Sequence, residues 1–96
     1  MTSDSARLKL DRPTYATRGL AGDMLLPYSD YIEVDFDGVN VATLGFIDEF
    51  LGRLDQYDSI YIANINRDIL DLIARVARRR GMADKIRWAE WQCLDD

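Results

Sequence analysis

The chain of 96 residues has no histidine, a single cysteine and only two prolines. Without histidine it lacks the side chain that most often acts as a general base or binds a metal near neutral pH. Because Cys93 is the only thiol, no disulfide can form within the chain, and a zinc site of the usual kind has too few ligands. We therefore expect no metal site and no cofactor, and a reducing compartment such as the cytoplasm.

Basic charge and long apolar runs are also scarce. Twelve lysines and arginines stand against seventeen aspartates and glutamates, which gives a formal net charge of −5. We expect no nucleic-acid partner, because phosphate contacts need a basic surface. No apolar run reaches the roughly 20 residues of a membrane span, and the N-terminal residues lack the apolar segment of a signal peptide. The expectation is a cytoplasmic protein without a membrane span.

The composition is sufficient for one small globular domain. Apolar residues make up 48% of the chain and charged residues 30%, which are ordinary values for a domain with a single core. Residues 1–5 are polar, and we expect them to be disordered, with the domain covering residues 6–96.

Four stretches have the pattern of β-strands. Apolar side chains alternate with polar ones in ARLKL, residues 6–10, and in YIEVDF, residues 31–36. SIYIANI, residues 59–65, is rich in β-branched and aromatic residues. The stretch KIRWAEWQCL, residues 85–94, predicts a final strand or an extension of the sheet edge.

Helical patterns separate these strands. Apolar residues recur every three or four positions in roughly residues 45–55 and again between Asn66 and Gly81, where Asn66 is a suitable N-cap and Gly81 a suitable helix end. A weaker helix begins at Thr17 and is closed by Pro27. The alternation predicts a single α/β domain with a mixed sheet of about four strands and helices mainly on one face.

The most specific motif joins the second predicted strand to the helix that follows it. The strand ends in D-F-D-G-V, and after a short linker the helix reads F-I-D-E-F-L-G-R-L. This arrangement resembles the STAS-like family of small bacterial domains, whose pattern is a D-F-x-G-V turn followed by a helix of the type F-x-D-E-L-x-G-x-L. The resemblance extends over roughly residues 16–81 and implies a STAS-like fold. The matching residues are Asp35, Phe36, Gly38, Val39, Phe46, Asp48, Glu49, Phe50, Gly52 and Leu54.

The resemblance implies a regulatory role without enzymatic activity. STAS domains that act as anti-sigma-factor antagonists bind a kinase with a GHKL-type ATPase fold, which phosphorylates a serine or threonine at the start of this helix. This chain has Leu44 and Gly45 where the antagonists have a serine pair, so Thr43 is the candidate phospho-acceptor. We expect the partner to bind at the turn after this strand and on the exposed side of the helix, because partners of open α/β sheets gather outside the carboxyl ends of the strands. The expected partner surface consists of Asp37, Gly38, Asn40, Thr43, Leu44, Gly45, Asp48, Glu49 and Arg53.

Two functions of other classes stay open. A small hydrolase or ligand-binding enzyme would use Asp35, Asp37 and Thr43, although carboxylates at alternate positions are more often a solvated sheet face than a cation site. A structural subunit would self-associate through Trp88 and Trp91, because an exposed tryptophan is a frequent interface residue. The second function implies a homodimer.

Overall fold

The computed structural model describes residues 5–88 of the chain. Strands and helices alternate along this part, which confirms the predicted α/β class. The strands are β1 (Ser5–Lys9), β2 (Thr14–Tyr15), β3 (Tyr31–Asp35), β4 (Val41–Ala42), β5 (Ser59–Ala63) and β6 (Ile86–Trp88). The helices are α1 (Arg18–Gly22), α2 (Leu44–Leu54) and α3 (Arg67–Arg80), and a 3-10 turn at Ala83–Lys85 leads into β6.

The main sheet has four strands in the order β1-β3-β5-β6, and every neighbouring pair of them is parallel. The sequence predicts a mixed sheet, but all four of these strands run parallel to one another. The reason is that each connection between neighbouring strands contains a helix, which returns the chain to the starting edge before the next strand begins. Two short strands missed in the sequence, β2 and β4, pair in parallel as a second small sheet.

The three α-helices of residues 5–88 lie on one face of the main sheet, as predicted. The strand order advances in one direction along the chain, and right-handed crossovers that advance in one direction place their helices on the same side. Strand β3 shows the consequence: Ile32 and Val34 are buried, whereas Tyr31, Glu33 and Asp35 point to the other face and keep solvent exposure.

Aromatic side chains fill the space between the sheet and α2. Phe46 and Phe50, four residues apart on one face of α2, stack with ring centroids 5.3 Å apart. Phe36, which directly follows β3, meets Phe50 edge to face at 6.3 Å. All three rings are fully buried, so α2 has a fixed position over the C-terminal end of β3.

The helix ends follow the capping signals in the sequence. Asn66 accepts a hydrogen bond from the backbone N–H of Ile69 at 2.9 Å, and Gly81 ends α3 in the left-handed conformation with φ 73°. The first helix is shorter than predicted and ends at Gly22 instead of running to Pro27. Two glycines in five residues lower its helix propensity, so the chain leaves the helix early.

Candidate functional site

Residues 37–45, which lead from the end of β3 into the first turn of α2, are hydrogen-bonded to other parts of the domain. The backbone N–H groups of Asn40 and Val41 donate to the carbonyl of Pro13 at 2.8 and 3.1 Å, and that of Thr43 donates to Tyr15 at 3.0 Å. The sequence predicts a turn over these residues, but they contain the short strand β4. We define the exposed ones as the junction surface: Asp37, Gly38, Asn40, Val41 and Leu44.

Side chains of Tyr15 and Asn66, from other parts of the fold, contact residues 37–45 and the start of α2 on their buried side. The ring of Tyr15 packs against Phe46 with centroids 4.7 Å apart, and its hydroxyl accepts the N–H groups of Asp11 and Arg12 at 3.0 and 3.3 Å. Burial raises the pKa of this hydroxyl, so it stays neutral. The side-chain amide of Asn66, the N-cap of α3, donates to the carbonyls of Val39 and Asn40 at 3.3 and 3.2 Å.

Gly38 is the position in this segment that needs glycine. Its φ is 88°, which other residues rarely adopt. The tight turn that it allows, closed by a hydrogen bond from the Val39 N–H to the Phe36 carbonyl at 2.9 Å, buries Val39 and leaves Asp37 in solvent.

Thr43 is the N-cap of α2. Its Oγ1 accepts the N–H of Phe46 at 3.3 Å and donates to the carbonyl of Ala16 at 3.0 Å, so the hydroxyl joins α2 to the segment that follows β2. A phosphoryl group on this oxygen would remove the hydrogen that reaches Ala16. The structure gives Thr43 a structural role, and its phosphorylation stays a prediction.

Asp48 lies between arginines of the two other helices. Its Oδ2 accepts from Arg18 Nη1 at 3.0 Å, and its Oδ1 accepts from Arg80 Nε at 3.1 Å. Both hydrogen bonds lower the pKa of the Asp48 carboxyl below its usual value, and the bond from Arg18 has the larger effect. Arg80 also covers Gly52, where a Cβ would lie 3.2 Å from its Nη2. Asp48 therefore connects three helices, whereas Glu49 makes only a long ion pair with Arg18 among the described residues, 3.9 Å from its Nη1.

Arg53 also serves the fold. Its Nη1 contacts the carbonyl oxygens of Ala21, Gly22 and Met24 at 2.7 to 2.8 Å, where α1 ends. The guanidinium thus satisfies carbonyls that a longer helix would have paired within itself. Its assignment to the partner surface stays a prediction, but its Nη1 faces α1.

The C-terminal ends of β1, β3 and β5 bring together a polar cluster on the other face of the sheet. Asp35 Oδ1 accepts from Asn64 Nδ2 and from the Asp37 N–H, both at 2.9 Å. The Asn64 hydrogen bond is the main reason that the pKa of Asp35 is lowered. Lys9 Nζ donates to the Asp37 carbonyl at 3.1 Å and lies 3.9 Å from both carboxylates. Asn64 adopts a φ of 60°, which is uncommon for a residue other than glycine.

A hollow of ≈ 270 Å³ lies beside this cluster. It is lined by Asp35 together with Lys9 and Asn64. The sequence places Lys9 and Asn64 within predicted strands and gives no sign that they belong to a site. Neither Asp37 nor Thr43 lines it, so the hollow does not unite the three residues of the enzymatic hypothesis. Its lining residues are Arg7, Leu8, Lys9, Glu33, Asp35, Ala63 and Asn64.

The remaining expected features concern metal, membrane and tryptophan. Within residues 5–88, no three acidic or thiol side chains are grouped so that they could hold a metal ion. In the same part of the chain, no helix has the length and apolar character to cross a membrane. Trp88 is half-buried and packs against the core, while Trp91 lies outside the described residues. The interface role of both tryptophans stays a prediction.

Comparison with known proteins found no matching family model, curated protein or solved structure. The STAS-like resemblance therefore stays a prediction that depends on the motif in residues 34–54.

Proposed function

We propose that this chain is a non-enzymatic regulatory module that binds another protein through the junction surface. The observation that carries the proposal is the exposure of two apolar side chains beside a fixed helix start. Val41 is 50% exposed and Leu44 is 48% exposed, and they flank the N-cap Thr43. Apolar side chains on a rigid surface are suited to burial by a partner.

The rigidity of the junction favours binding. Backbone hydrogen bonds to β2, the Asn66 amide and the Thr43 cap restrain this segment before any partner arrives. A surface that is already ordered loses less conformational entropy on association than a mobile loop does. The junction therefore has both an apolar centre and a preformed shape.

The charges around the junction indicate the chemistry of the partner. The side chain of Asp37 is largely exposed, and that of Glu49 is exposed next to Asp48, whose own charge is paired with Arg18 and Arg80. A partner with an apolar centre and a basic rim would complement this arrangement. The resemblance to STAS-like domains makes a GHKL-type ATPase or kinase the first partner to test.

The chemistry of the nearby carboxylates supports binding over catalysis. A carboxyl whose pKa is lowered is a weak base, and both Asp35 and Asp48 are in this state. The Thr43 hydroxyl is committed to a helix cap and a carbonyl, and no described base contacts it as an activated nucleophile would require.

Affinity capture with matched variants tests the proposal. The baits are the wild-type chain, Leu44→Glu, Val41→Glu and a control, Leu25→Glu, whose site is 93% exposed. The control site is remote from Leu44. Leu25 directly follows Met24, whose carbonyl contacts Arg53, and Arg53 lies nine residues after Leu44 on α2, a distance of about 13 Å along the helix. We expect a protein that the wild type and Leu25→Glu retain and that both junction variants lose. Retention by all four baits would overturn the proposal.

A further inference from the structure

The second face of the main sheet carries large side chains that no described element covers. We define this open face as the outward residues of the four strands: Arg7, Lys9, Tyr31, Glu33, Asp35, Tyr61 and Arg87. All-parallel sheets occur almost only where both faces are covered, because their crossover connections place helices on both sides. Here the one-directional strand order leaves one side without helices, so an additional layer is expected there.

Opposite charges occupy neighbouring strands of the open face. Arg7 and Lys9 lie on β1, and in the adjacent register positions of β3 lie Glu33 and Asp35. Arg7 Nε is 3.3 Å from Glu33 Oε1, and Lys9 Nζ is 3.9 Å from Asp35 Oδ2. The face thus has a cationic strand at the edge and an anionic strand beside it.

This charge pattern is self-complementary under one type of two-fold symmetry. We consider a two-fold axis that runs parallel to the strands and passes between β1 and β3. This axis places β1 of each copy over β3 of the other. Residues that pair across β1 and β3 in one copy keep the same position along the strand direction in the second copy. Arg7 then faces Glu33 of the second copy, and Lys9 faces Asp35 of the second copy. An axis perpendicular to the strands would instead place like charges over one another.

We propose that the open face binds a second copy of this chain, sheet against sheet, with β1 of each copy over β3 of the other. Sheets pack about 10 Å apart, a distance that arginine and glutamate side chains from opposite faces can bridge. Tyr61 lies in the same register row as Arg7 and Glu33 and packs edge to face on Tyr31, with ring centroids 6.5 Å apart. The tyrosine pair adds apolar area beside the charged strands.

The size of the face determines how tight the dimer is. In this arrangement only β1 and β3 of each copy overlap, and β5 and β6 extend beyond the edge of the other copy. Two strands about 4.8 Å apart, with five residues of about 3.3 Å each, give a small contact area. Interfaces of this class are transient. A reversible monomer–dimer equilibrium is expected, with the dimer populated at high micromolar concentration.

Sedimentation analysis of the full chain and its charge variants tests this geometry. Arg7→Glu places like charges at both inter-copy contacts and is expected to raise the dimer dissociation constant at least tenfold. The double variant Arg7→Glu/Glu33→Arg restores the intrachain pair with reversed polarity, and it is expected to dimerise like the wild type. The matched control, Arg75→Glu, changes an exposed arginine of α3 and is expected to leave the equilibrium unchanged.

Mixing gives the decisive observation. The double variant and the wild type would each self-associate, but their mixture would contain few heterodimers, because like charges meet at both contacts. Free mixing, or a dimer unaffected by Arg7→Glu, overturns the proposal. A wild type that stays monomeric at millimolar concentration also overturns the proposal. If a chain shortened to end at Trp88 dimerises in that case, residues 89–96 are the occupant of the open face. Thermal unfolding of each variant confirms that it is folded.

Discussion

Replacing Thr43 with alanine removes both hydrogen bonds of its hydroxyl, to the Phe46 N–H and to the Ala16 carbonyl. Loss of a threonine N-cap costs typically about 1 kcal/mol. Loss of the second bond adds about 1 kcal/mol, the net contribution of a typical intramolecular hydrogen bond. We therefore expect the free energy of unfolding to fall by about 2 kcal/mol. For a domain of this size, that lowers the melting temperature by roughly 8–16 °C.

Urea denaturation of three proteins measures this effect. Thr43→Ser keeps the hydroxyl and is expected to lose less than half as much stability as Thr43→Ala, with an unchanged dependence on urea concentration. If the alanine and serine variants were equally stable, the hydroxyl would have no structural role. Thr43 would then be better explained as an exposed acceptor for phosphorylation.

Three further perturbations follow from the described contacts. Phe50→Ala removes a fully buried ring that packs on Phe36 and Phe46. Calorimetry is expected to show that the free energy of unfolding falls by about 3–5 kcal/mol. A decrease below ~1 kcal/mol would contradict this packing. Arg53→Ala removes the side chain that contacts the carbonyls at the end of α1. Amide hydrogen exchange at Asp23 and Met24 is therefore expected to accelerate without a comparable change in α3. Uniform acceleration across the domain would contradict this local role of Arg53. The folded-state pKa values of Asp35 and Asp48 are lowered, so their contribution to stability is complete above about pH 4 and disappears as the pH falls through the folded values. Asp48→Asn is therefore expected to lose less stability between pH 6 and pH 3 than the wild type, and an identical loss would contradict the role of the two arginines.

The elements with a strong period or cap were predictable from the sequence. The helix of residues 66–81 has an asparagine N-cap and a terminal glycine, and both signals act within a few residues of the chain. The apolar stripe of α2 and the alternation in β3 also follow from local patterns. These elements sufficed to predict the α/β class and the covered face of the sheet.

The missed features depend on contacts between residues far apart in the chain. Strands β2 and β4 have two residues each, too few for a period to be visible. Arg53 and Asp48 have the composition of a solvated helix face, but their partners come from α1 and α3. The cluster around Asp35 unites ends of three strands, and only the strand order brings Lys9 and Asn64 to it.

The dissociation constant of a purified complex tests the central claim most directly. Once capture has supplied a partner, isothermal titration compares the wild type with Leu44→Glu and with Leu25→Glu. We expect at least a tenfold weaker complex for Leu44→Glu, equivalent to about 1.4 kcal/mol, and an unchanged dissociation constant for Leu25→Glu. Equal affinity of all three proteins would show that the partner binds elsewhere on the domain.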